Sequence, residues 1–166
     1  DKAARLAKAL TNCPLTGEKQ SVPAPLAAPK LEVGGAGLVS TASDYLRFAE
    51  MLRAGGSLGG QRVLSPATVR WMGSDHLQGI EGGPDRMDPG LAGYGFGLTV
   101  SVRKNAGGSA FMGAPGAFGW SGVFGTFFWV DPAEGLAVVL MAHAPGEMRL
   151  RYRRLVNMLA YQALEN

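Results

Sequence analysis

Gly119-Trp120-Ser121-Gly122-Val123-Phe124-Gly125-Thr126-Phe127-Phe128-Trp129-Val130 runs through the turn Asp131-Pro132-Ala133-Glu134-Gly135 into Leu136-Ala137-Val138-Val139-Leu140-Met141-Ala142. Aromatic and β-branched residues on either side of a Pro- and Gly-containing turn read as two strands joined tightly. A turn this short forces an antiparallel pair, because a parallel return needs a long crossover. Phe127, Trp129 and Val130, beside Val138 and Leu140, read as sheet core.

A third strand-like run, Tyr94 to Val102, lies upstream across Gly107-Gly108. Helix signals flank these strands. Thr41 followed by Asp44 resembles a capping box, with Ser40 as the alternative cap, and Tyr45, Phe48, Ala49 and Leu52 follow at helical spacing before Gly55-Gly56. Ser65-Pro66 is a cap with proline in the first turn, and Met148, Tyr152, Leu155, Val156, Leu159 and Ala163 form a stripe on a last helix. Residues 1–11 read as the end of a helix, 12–33 as an irregular proline-bearing connector and 73–92 as loop. The expected class is α+β, an antiparallel sheet flanked by helices.

The 166 residues are 46% hydrophobic and 17% charged, which suits one domain rather than a disordered or fibrous chain. Glycine, at 25 residues, predicts turns and close backbone contacts. The net charge is +3, of which residues 146–166 carry +2: four arginines against Glu147 and Glu165. The other 145 residues carry +1, so there is no broad basic stripe and no nucleic-acid partner is expected. The arginines of the last helix read as a solvated face. No apolar run reaches membrane-span length. The single Cys13 excludes an internal disulfide, and the two histidines, His76 and His143, have no metal-site spacing. His143, closing an apolar strand, reads as a structural or rim histidine.

Three serine motifs need weighing. Gly55-Gly56-Ser57-Leu58-Gly59 has the letters of a nucleophile elbow, but a helix precedes it where the elbow needs a strand, so it reads as a hairpin linker. Gly119-Trp120-Ser121-Gly122-Val123 lacks the last glycine. Ser101-Val102-Arg103-Lys104 matches S-x-x-K on a strand, where positions three apart face opposite ways and the lysine cannot serve the serine.

The larger pattern is informative. Gly34-Gly35-Ala36-Gly37-Leu38-Val39-Ser40-Thr41-Ala42-Ser43-Asp44-Tyr45-Leu46-Arg47-Phe48 resembles a segment of the serine β-lactamase family. That family groups class C β-lactamases, D-alanyl-D-alanine peptidases and β-lactamase-like carboxylesterases. The resemblance continues through Leu64–Val69, Gly93–Leu98, Phe118–Gly122 and Gly125–Pro132 in order. It implies the C-terminal portion of a β-lactamase/transpeptidase-like fold. The family's nucleophilic S-x-x-K and its Y-x-N lie upstream of the matched part, and none of Tyr45, Tyr94, Tyr152 and Tyr161 has Asn two residues on.

Residues 1–166 are therefore expected to be a single incomplete catalytic domain, inactive alone and needing a missing N-terminal segment or a complementary chain. Trp120-Ser121-Gly122 stands where many members have K-T-G. The resemblance makes Trp120, Ser121 and Gly122 substrate-binding and the backbone N–H of Val123 an oxyanion donor. Tryptophan in place of lysine removes a cation for a substrate carboxylate and leaves an aromatic face, as in the carboxylesterases. The expected substrate is a small-molecule ester or amide, with no metal or organic cofactor. Alternatives are a β-lactamase or D-amino-acid peptidase of the same fold, or a non-catalytic degenerate binding module.

Overall fold

The computed structural model describes residues 3–20, 30–31, 33–35, 37–80 and 89–165. Its centre is a five-stranded antiparallel sheet in chain order, β3 (Tyr94–Phe96), β4 (Ser101–Arg103), β5 (Phe118–Ser121), β6 (Phe127–Asp131) and β7 (Leu136–Leu140). A two-stranded hairpin, β1 (Ser57–Leu58) and β2 (Gln61–Arg62), stands apart at the serine motif read as a linker.

The strands number more than the three runs anticipated, because two of those runs fold back on themselves. Tyr94–Val102 turns at Gly97–Val100, where the Gly97 N–H donates to Val100 O at 2.8 Å and Thr99 takes a φ of 67°. Gly119–Val130 turns at Gly122–Thr126, with the Gly122 N–H donating to Thr126 O at 2.9 Å and Gly125 at a φ of 117°.

Helix α1 (Ala42–Arg53) starts where the capping box places it: Thr41 Oγ1 accepts from the Asp44 N–H at 3.1 Å and donates to Asp44 Oδ2 at 2.8 Å. Such a cap contributes about 1 kcal/mol. Ser65 caps α2 (Pro66–Met72) in the same way, accepting from the Thr68 N–H at 3.0 Å. Ala49, Met51 and Leu52 of α1 and Val69 of α2 pack with Val100, Val102, Phe118, Phe128 and Val130 into the core on one face of the sheet. Tyr45 adds an edge-on ring contact to Phe128 with centroids 5.2 Å apart.

The opposite face carries Phe127, Trp129 and Asp131, and helix α3 (Glu147–Gln162) covers it. Trp129 stacks on Tyr161 at 6.2 Å, and Phe111 packs on Phe127 at 5.6 Å. The result is three layers, α1 and α2, then sheet, then α3.

Two helical expectations change. The helix end expected over residues 1–11 is not found in the described part of it, residues 3–11, which holds only a 3-10 turn at Ala3–Arg5. On α3 the buried face is only partly the anticipated stripe: Met148 is buried as expected, but the rest is turned. Leu155 and Leu159 are 43% and 51% exposed, whereas Arg153 and Asn157 are 6% and 3% exposed. Asn157 is drawn in by a paired grip on loop 104–117, accepting from the Met112 N–H at 2.7 Å and donating to Met112 O at 3.2 Å. Among the described residues no helix is long and apolar enough to cross a membrane.

Candidate active-site strand

Strand β5 is paired unequally on its two sides. Against β6 it is matched over its whole length, from Phe118↔Val130 to Ser121↔Phe127. Against β4 it is matched only at Ser101↔Gly119 and Val102↔Phe118. Past Gly119 the chain of β4 has turned away, so among the described residues no strand pairs with the β4 side of Trp120-Ser121-Gly122. An open extended backbone can accept another chain segment or a substrate alongside it.

The glycines that shape this strand have internal causes. A Cβ at Gly119 would lie 2.1 Å from Phe128 O, so only glycine lets β5 lie this close to β6. A Cβ at Gly122 would lie 2.2 Å from Thr126 Oγ1, which gives that glycine a role in the turn as well as along the open edge.

Trp120, 39% exposed, packs edge-on against Phe96 with centroids 5.1 Å apart. Ser121 and Gly122 are half-buried. Val123 begins the turn after the strand and is 62% exposed. Among the described residues its N–H has no hydrogen-bond acceptor, whereas its carbonyl accepts from Arg149 Nη1 at 2.7 Å. The four sequence-derived site residues are thus contiguous on one edge and its following turn.

The other motifs lie elsewhere or are satisfied. The Ser101 hydroxyl is buried and donates to Gly119 O at 3.0 Å, so it fastens β4 to β5, and Lys104 is exposed. His143 Nδ1 meets Ala7 O at 2.7 Å, which requires that nitrogen to carry the proton, and the ring lies 6.1 Å from Phe124. His76 Nε2 likewise meets Trp71 O at 2.8 Å. Burial raises Tyr45 above the ordinary tyrosine range, the wrong direction for a base. Among the described residues nothing lies within 4 Å of a Cβ at Gly34 or Gly35. No group of three or more His, Cys, Asp or Glu among the described residues is placed to hold a metal.

The arginines of α3 are where the sequence reading needs correcting. Instead of a purely solvated face, α3 sends Arg149 and Arg153 to the turn after β5. Arg153 donates to Gly122 O and, at 3.1 Å, to Thr126 O, with its guanidinium 5.9 Å above the Phe127 ring. The usable signal was the i, i+4, i+8 spacing of Arg149, Arg153 and Asn157, which lie on one face of a helix. A second polar element is Asp131, read from the sequence only as a turn residue but fully buried. It accepts from the Ala114 N–H at 2.9 Å and the Tyr161 hydroxyl at 2.7 Å, and from the N–H groups of Ala133 and Glu134.

Residues 2–162 match the protein-family profile described as Beta-lactamase. The chain belongs to the beta-lactamase family. Within reach of this family, Protein Rv1367c of Mycobacterium tuberculosis is 40% identical over 116 residues, covering 67% of this chain and 29% of that protein. Esterase EstB of Burkholderia gladioli is 30% identical over 114 residues, covering 69% of this chain and 26% of that protein. Among solved structures, EstCE1, described as a hydrolase with promiscuous acyltransferase activity, superposes with a TM-score of 0.69 at 31% identity. That match covers 92% of this chain and 38% of EstCE1. The chain therefore spans under a third of the curated relatives it matches. The α+β class and the transpeptidase-like architecture expected from the sequence agree with this family.

Proposed function

We propose that this chain supplies one wall and one oxyanion donor of a serine hydrolase that cleaves esters through an acyl-enzyme. The observation that carries the reading is the β5 edge left unpaired among the described residues, with the exposed Trp120 ring on it and, in the turn that follows, a Val123 N–H that has no acceptor among them. The names of EstB and EstCE1 support esterase or acyl-transfer chemistry.

In this reading the serine and its base come from chain outside residues 1–166, placed along the open edge. The serine oxygen attacks the ester carbonyl and gives up its proton to the base. The carbonyl oxygen takes the negative charge against the Val123 N–H, a donor already oriented and so favoured over water. The bond to the leaving alcohol breaks as that alcohol receives the proton. Water then repeats the attack and releases the acid. Trp120 offers an aromatic face to the acyl or alcohol part, where a cation would have favoured a carboxylate-bearing substrate.

The test pairs a short-chain nitrophenyl ester with a chromogenic cephalosporin on the intact enzyme, alongside a fluorophosphonate serine probe. Rapid ester turnover, slow cephalosporin turnover and labelling are expected. Preferred cephalosporin hydrolysis would move the assignment to a β-lactamase. No labelling and no turnover would leave a binding module.

A further inference from the structure

We propose that Arg153, assisted by Arg149, is a positioning residue that orients and strengthens the Val123 oxyanion donor. The proposal rests on the reading of Val123 given above. It begins from a peptide plane. The Gly122 carbonyl and the Val123 N–H belong to one planar, trans peptide unit, so they point in opposite directions. Arg153 donates to that Gly122 oxygen. Fixing the carbonyl toward α3 fixes the N–H away from it.

The grip extends through the turn. Arg153 also donates to Thr126 O at 3.1 Å, and Arg149 to Val123 O at 2.7 Å. Two guanidinium groups thus hold three carbonyls of a five-residue turn. The turn closes itself as well, through Gly122 N–H to Thr126 O at 2.9 Å and Gly125 N–H to Gly122 O at 3.0 Å. Arg153 has little freedom: it is 6% exposed and lies above Phe127. The helix carrying it is pinned by Asn157 to Met112 and by Tyr161 to Asp131.

A cation bound to an amide oxygen does more than aim the group. It draws electron density toward the oxygen and leaves the N–H of the same unit a stronger donor, the polarisation seen along hydrogen-bond chains. An oxyanion opposite Val123 would therefore meet a donor that is both pre-aimed and reinforced. Removing a whole oxyanion donor costs about 100- to 1,000-fold in kcat. Weakening one through its carbonyl should cost part of that, about 10- to 50-fold.

The experiment uses the intact enzyme with 15N-labelled valine. Arg153→Gln keeps a neutral amide donor, Arg153→Lys keeps the charge, and Arg151→Gln changes an exposed neighbour. R153Q is expected to lower kcat by about 10- to 50-fold with KM within about threefold, R153K to recover a substantial part, and R151Q to change neither. The Val123 amide resonance should move upfield in R153Q, signalling a weaker donor. If R153Q does not fold by near-ultraviolet circular dichroism, Arg149→Gln tests the aiming of the turn alone, since Val123 O belongs to the next peptide unit, and a smaller fall in kcat with KM unchanged is expected. An unchanged kcat, a KM rise that accounts for the loss, or R153K no better than R153Q would overturn the proposal. The underlying reading fails separately: a serine-directed phosphonate must shift the Val123 amide in the unmodified enzyme, and no shift there would refute the oxyanion role itself.

Discussion

Asp131 offers a sharp quantitative test of how the sheet and the last helix are joined. Its Oδ2 takes the Ala114 N–H and the Tyr161 hydroxyl at 2.9 and 2.7 Å, and its Oδ1 takes the Ala133 and Glu134 N–H groups at the longer 3.2 and 3.3 Å. A hydrogen bond to a charged group is worth about 1.5–3 kcal/mol, and an orphaned buried donor costs about 1–3 kcal/mol. In Asp131→Asn the amide nitrogen must face one of the two donor pairs. Facing Oδ2's partners is the lesser conflict, because the Tyr161 hydroxyl can rotate to accept, but the Ala114 N–H is still left without an acceptor. The expected loss is about 2–4 kcal/mol for D131N and more for Asp131→Ala, against a total stability of about 5–15 kcal/mol. Urea unfolding followed by tryptophan fluorescence suits the measurement, since Trp129 stacks on Tyr161. Tyr161→Phe combined with D131N should show a coupling of about 1 kcal/mol or more, as contacting residues do. A D131N loss below about 0.5 kcal/mol, or strict additivity with Y161F, would refute this account of the joint.

Further outcomes follow from the same geometry. Gly119→Ala puts a Cβ onto Phe128 O and should cost about 3 kcal/mol or more by thermal or urea unfolding, as overpacking against backbone cannot relax cheaply. Ser101→Ala should cost about 1 kcal/mol and leave the fluorophosphonate labelling that the proposed function expects of the full-length protein unchanged, since that hydroxyl is tied to Gly119 O. Burial and the bond to Asp131 hold the Tyr161 hydroxyl above the ordinary tyrosine range. Its contribution to stability is therefore constant below a pH of about 10 and falls above it, where only the unfolded chain loses the proton, at up to about 1.4 kcal/mol per pH unit. The difference in unfolding free energy between wild type and Y161F, followed from pH 8 to 11, reads that slope directly; a flat difference would contradict it.

The local signals were the legible ones. Thr41 and Ser65 cap their helices as their side chains dictate, because a cap depends on three or four neighbouring residues. The number of strands was less accessible. Leu98-Thr99 forms the tip of a hairpin without glycine or asparagine, and a β-branched residue at positive φ is a choice that only the surrounding contacts impose. At Val123-Phe124 an apolar pair sits in a turn because Arg149, Arg153 and residues 142–144 hold it there. The face of the last helix was missed for a related reason. An apolar stripe predicts a buried side only where the partner surface is apolar, and beside Phe127 and Trp129 the last helix also meets loop and turn carbonyls that select arginine and asparagine. Trp120, Ser121, Gly122 and Val123 are singled out by their motif alone, whereas the edge they lie along, unpaired among the described residues, is a matter of register between β4 and β5. No short window of sequence encodes that mismatch.

The most direct test of the proposed site is a crystal structure of the full-length protein after treatment with a serine-directed phosphonate. The expected result places a phosphonyl oxygen about 2.7–3.1 Å from the Val123 backbone nitrogen, with Trp120 against the organic group. An oxygen bound by other donors, with the Val123 N–H turned to solvent, would contradict it.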